Sequence, residues 1–349
     1  MEILLEEVLK RKASDLHLQV GTPPHIRVDG KLAPLANFAP LTETQTEAYI
    51  FQLMEDDQKA VLLRDKEFDF SFSFGSQGRF RGNAFYEKGN LAASLRLIPP
   101  DIRSVEALGL PPIVRKFANY PQGLVLITGP TGAGKSTTMA AIIDQINNDR
   151  AAHIVTIEDP IEYTHQSKKS LIVQREVHYD TFSFSAALRS SLREDPDIVM
   201  IGEMRDLETI ASAITIAETG ALVFAALHTN SAAQSVDRIV NVFPAYQQTQ
   251  VRSQLSSVLM AICSQRLLPA LAGGRVVATE VLIGTAGVRN IIREGKTHQL
   301  GAVIQTGAAH GMQSLERTLA NLVHAGQVSY DEARGAAADP EELDKLMRS

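Results

Sequence analysis

The sequence has no tryptophan, a single cysteine and few aromatic residues, which make up 6% of its 349 residues. Surfaces that bind single-stranded nucleic acid stack bases on aromatic side chains, so this scarcity disfavours such a surface. The formal net charge of −6 argues against broad nucleic-acid binding, which requires a concentrated basic face. We therefore expect no nucleic-acid partner.

The lone cysteine, Cys263, excludes an intrachain disulfide and a cysteine-rich zinc site. It follows the apolar segment 259–262, so we expect a buried thiol. The longest apolar run, 221–227, is far shorter than the roughly 20 residues that span a bilayer. The acidic, amphipathic N-terminal stretch lacks the features of a signal peptide. These patterns predict a cytoplasmic protein without a transmembrane segment, which meets a membrane only through partners.

One glycine-rich run fits the phosphate-binding pattern G-x-x-x-x-G-K-[ST] at every fixed position. It consists of Gly129, Pro130, Thr131, Gly132, Ala133, Gly134, Lys135, Ser136 and Thr137. An apolar strand is predicted over 124–128 before it, and a helix over 136–147 after it. The glycines let backbone N–H groups approach a phosphate, Lys135 adds a charge for the β/γ-phosphates, and the Ser136 hydroxyl can ligate Mg²⁺. The run predicts an enzyme that uses ATP and Mg²⁺.

Two domains joined by a linker are predicted. Residues 1–98 have an amphipathic first helix and the alternation of an antiparallel sheet, with strands at 15–20, 25–28, 68–74, 79–85 and 92–98. Strict alternation over 68–74 places its phenylalanines on one face. Pro99–Pro100 and Pro111–Pro112 mark the two ends of a linker over 99–110. From 111 to 349, helices alternate with apolar strands at 153–157, 198–201, 221–227 and 276–283, which predicts a mainly parallel α/β domain with a C-terminal helical region.

Polar residues follow three of these apolar strands. Glu158-Asp159, Glu203 and His228 each come where a strand ends. Because ligands of open α/β sheets bind at the carboxyl ends of the strands, we expect these residues to face the same cleft as the phosphate loop. Phosphoryl transfer there needs a carboxylate that holds Mg²⁺ and a second carboxylate that orients the attacking water. It also needs arginines that offset the negative charge developing on the γ-phosphate. Spacing alone does not select those arginines.

Three segments resemble motifs of the type II/IV secretion ATPases: 192–206 resembles their signature, 156–163 their acidic box and 227–230 their His box. Segments 13–18 and 287–294 narrow the resemblance to the branch that retracts type IV pili. The resemblance implies a homohexamer whose subunits have a PAS-like α+β N-terminal domain and a RecA-like P-loop ATPase domain. It implies ATP between the two domains, an inner-membrane pilus platform protein as partner, and an accessory retraction ATPase as a further partner.

The same resemblance implies roles for individual residues. Glu162, in the acidic box, would activate water, and Glu203 would be the Walker B glutamate that acts on Mg²⁺, through a water molecule. His228 would sense or couple the nucleotide state. Arg81 and Arg96 match N-terminal arginines that reach phosphate, although a solvated strand face is the alternative for both.

The C-terminal motif contributes Arg289, Asn290, Arg293 and Glu294, which match a motif linked to retraction rather than to hydrolysis. One position departs from the family pattern, because Ala221 stands where relatives often have histidine. A methyl group cannot titrate or donate a hydrogen bond as an imidazole can, so we expect coupling through this position to differ from that in relatives.

Four alternatives to a principal retraction motor remain. Pilus-assembly and type II secretion ATPases usually carry a tetracysteine zinc element, which a single cysteine does not supply. An accessory retraction paralogue is harder to separate, and the retained charged motif at 289–294 favours the principal motor. A RecA-like nucleic-acid translocase is disfavoured by the acidic charge. A regulator that only binds nucleotide is disfavoured by intact Lys135, Ser136, Glu162 and Glu203.

Overall fold

The computed structural model describes residues 1–28, 30–75, 78–98 and 101–348. The chain divides into two compact units. The first comprises Met1–Asp101 with Glu162–Thr164, and the second comprises Ile102–Ile161 with His165–Ser349. The predicted break at Pro99–Pro100 lies outside the described residues. No helix among the described ranges is long and apolar enough to cross a bilayer.

The first unit is a six-stranded antiparallel sheet with helices, in the strand order β3-β2-β1-β6-β5-β4. Its elements are α1 Glu2–Lys10, β1 Asp15–Leu18, β2 His25–Val28, β3 Lys31–Pro34, α2 Glu43–Phe51, α3 Asp56–Asp65, β4 Glu67–Phe74, β5 Gly78–Glu87 and β6 Asn90–Ile98. The first predicted strand ends at Leu18, before the predicted limit of Val20, which makes only an isolated bridge with Leu41.

The phenylalanines of β4 share one face, as their alternation predicts. The rings of Phe68, Phe70 and Phe72 stack in sequence, and Phe72 stacks on Phe80 of β5 with centroids 5.4 Å apart. Aromatic rings remove large apolar areas from water, so this stack contributes much of the core of the first unit. Helix α1 covers the same core with Leu4, Leu5 and Val8.

The second unit is a seven-stranded sheet in the order β13-β12-β7-β11-β10-β8-β9, parallel except for β13. Its elements are α4 Pro112–Phe117, β7 Gly123–Thr128, α5 Lys135–Asp149, β8 His153–Glu158, β9 Leu171–Glu176, α6 Phe184–Ser191, β10 Ile198–Ile201, α7 Leu207–Glu218, β11 Leu222–Leu227, α8 Ala232–Asn241, α9 Ala245–Val258, β12 Leu259–Pro269, β13 Arg275–Ile283, α10 Ala286–Arg293, α11 Leu300–Thr306, α12 Leu315–His324, α13 Tyr330–Ala336 and α14 Pro340–Arg348. Two short 3₁₀ helices lie at Thr297–Gln299 and Ala308–His310.

Both faces of this sheet are covered, which explains why its strands are apolar without alternation. Along β7, Leu124 and Leu126 enter the core formed with α7 and α9, whereas Val125 and Ile127 enter the core formed with α4 and α5. The predicted fold class is confirmed: an α+β part precedes a P-loop α/β part. Cys263 lies on β12 with no exposed surface, and burial raises the pKa of its thiol to about 12.

Candidate active site

The loop between β7 and α5 depends on glycine. Gly129, Gly132 and Gly134 have φ angles of 147°, 78° and 85°, a backbone region that side chains with a Cβ rarely adopt. Space is also limiting at Gly129, because a Cβ there would lie 2.3 Å from the carbonyl oxygen of Gln265. The loop ends at Lys135, where α5 begins, so the N-terminus of a helix points its backbone N–H groups toward an incoming phosphate.

Three predicted residues form one connected set at the carboxyl ends of the strands. The ammonium of Lys135 donates to the carbonyl oxygens of Gly129 at 2.8 Å and Pro130 at 3.1 Å, and lies 3.3 Å from Nδ1 of His228. On its other side, Nε2 of His228 lies 2.9 Å from Oε1 of Glu203. Since an ammonium can only donate, Nδ1 accepts and Nε2 carries the proton that is donated to Glu203. The imidazole therefore joins the loop lysine to the carboxylate.

Glu203 has a second partner, Arg205, to which the sequence assigned no role. Nε and Nη2 of Arg205 donate to the two carboxylate oxygens at 2.6 and 2.8 Å. Burial acts to raise the pKa of Glu203, but the hydrogen bonds from Arg205 and His228 and the charge of Arg205 outweigh it, so the pKa lies below its usual value. The carboxylate is thus ionised at neutral pH.

These residues fit a magnesium nucleotide. Among the described residues, no group of three or more His, Cys, Asp or Glu side chains converges to hold a metal. Mg²⁺ in nucleotide sites does not need such a group, because it is held by one or two protein oxygens together with the phosphates and retains several waters. Ser136, in the first turn of α5, and the ionised Glu203 offer oxygens of this kind.

Glu158 has a different environment from Glu203. It is 6% exposed and accepts hydrogen bonds from Thr156 Oγ1 at 2.6 Å and Gln174 Nε2 at 3.1 Å. These partners belong to β8 and β9, so the carboxylate joins the edge strand β9 to its neighbour β8. Asp159, beside it, is exposed.

Arg81 and Arg96 lie directly opposite each other on β5 and β6, and both are exposed. In the same row, Asp15 of β1 pairs with Arg96 and Arg27. Asp15 accepts a hydrogen bond from Nε of Arg96 at 2.9 Å and lies 3.7 Å from Nε of Arg27. Burial acts to raise the pKa of Asp15, but hydrogen bonds from Ser14 and Arg96 lower it below the usual value. Residues opposite one another share a face, so three guanidinium groups and one carboxylate form a basic row on the first unit.

Glu162 lies in the exposed segment after β8, within the short stretch Glu162–Thr164 that groups with the first unit. The structure thus brings Lys135, His228 and Glu203 together within the second unit, whereas Glu162, Arg81 and Arg96 belong to the first.

Arg289 and Ala221 lie near the amino ends of central strands of the second sheet, opposite the carboxyl ends where the phosphate loop lies. Arg289, on α10, lines a cavity of about 430 Å³ with Gly123, the first residue of β7. The carbonyl of Ala221 accepts a hydrogen bond from Gly123 N–H at 3.0 Å. The six residues of β11 separate Ala221 from His228, which amounts to about 20 Å at 3.3 Å per residue. Both residues therefore lie at the end of the strands away from the phosphate loop.

Comparison with known proteins extends the similarity over the whole chain. The family model for the type II/IV secretion system protein matches residues 1–334. The type IV pilus retractation ATPase PilT of Pseudomonas aeruginosa is 51% identical over 338 residues, covering 97% of this chain and 98% of that protein. A twitching motility protein of Neisseria gonorrhoeae is 49% identical over 321 residues, covering 92% of this chain and 86% of the relative. A crystal structure of the pilus retraction motor PilT with bound ADP superposes with a TM-score of 0.93 at 46% identity, covering 99% of both chains.

Proposed function

The chain belongs to the type II/IV secretion system protein family, and from this membership we propose that it is a motor ATPase that retracts type IV pili. It hydrolyses ATP to ADP and phosphate and uses the free energy for mechanical work in pilus disassembly and twitching motility. The observation that carries the proposal is the connected set of Lys135, His228 and Glu203 beside a glycine loop. This set occurs in a chain that matches a retraction ATPase over nearly its full length.

The phosphate loop and α5 hold the nucleotide in this proposal. Lys135 exchanges the carbonyl oxygens of Gly129 and Pro130 for phosphate oxygens, since all are acceptors within the reach of one ammonium. Ser136 and Glu203 hold Mg²⁺, the latter through a water molecule. The metal would neutralise charge on the β- and γ-phosphates.

Glu203 and Glu162 have separate roles in hydrolysis. Glu203 stays on the metal side, while Glu162 orients and deprotonates the attacking water. His228 reports the nucleotide state, because any movement of Lys135 or Glu203 changes one of its two ring contacts. Arg81 and Arg96 supply the positive charge that offsets the developing charge on the γ-phosphate.

The assembly that uses this activity is also proposed. We infer a homohexamer of subunits with a PAS-like domain over 1–98, a linker over 99–110 and a RecA-like domain over 111–349. In this arrangement nucleotide-driven closure of the domains acts on an inner-membrane pilus platform protein from the cytoplasmic side. The charged residues of α10, which lie away from the phosphate loop, suit contact with that machinery better than hydrolysis.

ATP turnover by the purified chain tests the enzymatic part. Lys135→Ala and Glu203→Ala should each abolish turnover, because one removes the phosphate charge and the other the metal-side carboxylate. Glu208→Ala is the matched control, since Glu208 is a solvent-exposed carboxylate five residues away. Near-wild-type turnover in either site variant would overturn the role of that residue.

Complementation tests the biological part. Expression in a strain without its retraction ATPase should restore twitching, whereas an accessory paralogue would fail to do so alone. The mass of the oligomer with and without nucleotide tests the hexamer, and a monomer under all conditions would contradict a ring motor.

A further inference from the structure

Strand β12 extends past the end of β7 and lies beside the phosphate loop. The two strands are parallel, and their last paired residues are Ser264 and Thr128. β7 ends there and the loop begins, but β12 continues to Pro269, supported on its other side by β13. The residue after Ser264 is therefore the first that can face the loop instead of a strand.

That residue is Gln265, which is 2% exposed. Its Nε2 donates to the carbonyl oxygen of Ala133, in the middle of the loop, at 2.7 Å. A Cβ at Gly134 would lie 3.4 Å from the same Nε2, so the amide is packed directly against the loop backbone. Next to it, Ser264 Oγ and Thr128 Oγ1 are 2.8 Å apart, which ties the start of the loop to β12 as well.

The other end of the amide is not satisfied. Oε1 of Gln265 is buried and has no hydrogen-bond partner among the described residues. A buried acceptor without a donor costs free energy, so Oε1 itself contributes nothing favourable to the fold. The amide therefore contributes through the single bond that its nitrogen makes to the loop.

We propose that Gln265 is a positioning residue for nucleotide binding, which holds the phosphate loop in its receptive shape through the Ala133 carbonyl. A loop that points its N–H groups at a phosphate turns carbonyls outward, and an outward carbonyl that is buried needs a donor. Ala133 is 3% exposed, and Gln265 is the donor. Without this hydrogen bond the loop must be ordered each time a nucleotide binds. The free-energy cost of that ordering lowers the affinity for nucleotide, although no group that touches the nucleotide has been removed.

This inference rests on the proposed ATPase activity, and the test begins with Gln265→Met, which keeps the volume and loses the N–H. The KM for ATP and the Kd for ADP should both rise roughly fivefold to tenfold, as expected for one lost hydrogen bond, while kcat changes by less than about twofold. A role in folding alone would lower the melting temperature and leave KM and Kd unchanged.

Gln265→Glu provides a pH signature. Burial raises the pKa of such a carboxyl above its ordinary value, so its protonated fraction grows as the assay pH is lowered. The protonated acid can donate to the Ala133 carbonyl, whereas the ionised form only accepts. The KM of this variant, relative to wild type at the same pH, should therefore fall toward the wild-type value as the pH decreases, and that of Gln265→Met should not.

Gln313→Met is the matched control, because Gln313 donates to Thr279 Oγ1 and Thr318 Oγ1 away from the loop. It should alter stability and leave KM unchanged. An unchanged KM in Gln265→Met and a pH-independent ratio in Gln265→Glu would overturn the inference. If the wild-type chain neither hydrolyses ATP nor binds ADP, it is the proposed function that fails.

Discussion

Replacing Arg205 with alanine should let the enzyme reach half its maximal rate at a lower Mg²⁺ concentration. Both carboxylate oxygens of Glu203 accept hydrogen bonds from Arg205. A carboxylate has about four acceptor positions, of which Arg205 takes two and His228 a third, so a hydrated metal ion competes with these donors for Glu203. The arginine is thus a competitor for the group that serves the metal.

The size of the shift in the half-saturating Mg²⁺ concentration follows from the solvent exposure of the Arg205 and Glu203 side chains. The Arg205 side chain is 78% exposed and that of Glu203 19% exposed, so water screens the pair from one side. An ion pair of this kind contributes at most about 1 kcal/mol. Since 1.4 kcal/mol is a factor of about ten, the half-saturating Mg²⁺ concentration should fall by up to about fivefold.

The assay is steady-state ATP hydrolysis over a Mg²⁺ titration at fixed ATP. Arg205→Lys should give an intermediate shift, because lysine keeps the charge but cannot engage both oxygens. Arg189→Ala, which breaks an exposed pair with Glu208, should give none. A half-saturating concentration that stays constant or rises in Arg205→Ala would refute the competition, and would mean that the arginine assists the metal.

Three further predictions concern stability, binding and reactivity. Because the pKa of Asp15 is lowered in the folded state, its charge stabilises the fold above the ordinary value of 3.8, and this contribution is lost as the pH falls through the lowered pKa. Asp15→Asn should therefore lower the free energy of unfolding at pH 7 by up to about 1 kcal/mol, a small amount because Arg96 is 74% exposed. The stability of this variant should also fall less steeply than that of wild type as the pH is lowered, and an unchanged slope would contradict the reasoning. Gly129→Ala should abolish ADP binding in calorimetry, because its Cβ would overlap the Gln265 carbonyl, and retained binding would show that the loop can shift. Cys263 should resist thiol reagents in the native protein and react after denaturation, since burial raises its pKa to about 12; rapid native labelling would refute this.

The strand-loop-helix around the phosphate loop was predictable because its determinants are local. The apolar strand, the glycines and the helix follow one another within about 25 residues, and the structure has them as β7, the loop and α5. Helix α7 also begins at a local signal, since Asp206 caps its N-terminus by accepting from Thr209 N–H.

Strands with polar residues were harder to predict. β12 includes Ser264 and Gln265, and these polar residues interrupt the apolar run by which a buried strand is recognised in a sequence. They are buried because the hydroxyl of Thr128 and the carbonyl of Ala133 supply their partners, and a one-dimensional pattern does not include those partners. β9, at the edge of the sheet, lacks both alternation and a continuous apolar run.

The basic row of the first unit depends on strand register. Asp15 and Arg96 are 81 positions apart, and Arg27 and Arg81 join them only through the pairing of β2 with β1 and of β6 with β5. A shift of one residue in any of these pairings would turn a member of the row to the other face. The resemblance therefore pointed to Arg81 and Arg96, but the sequence did not reveal that Asp15 pairs with Arg96.

The opposed pair of Arg81 and Arg96 makes the first unit sensitive to ionic strength. The Cβ atoms of residues directly opposite in an antiparallel sheet are about 5 Å apart, and like charges at such positions destabilise the pair. A multivalent anion relieves this repulsion far more effectively than dilute chloride does. Concentrated salt would therefore have two effects on the basic row. It would screen the repulsion between the arginines, as a bound nucleotide would do more strongly, and it would also weaken the attraction of the row for a phosphate.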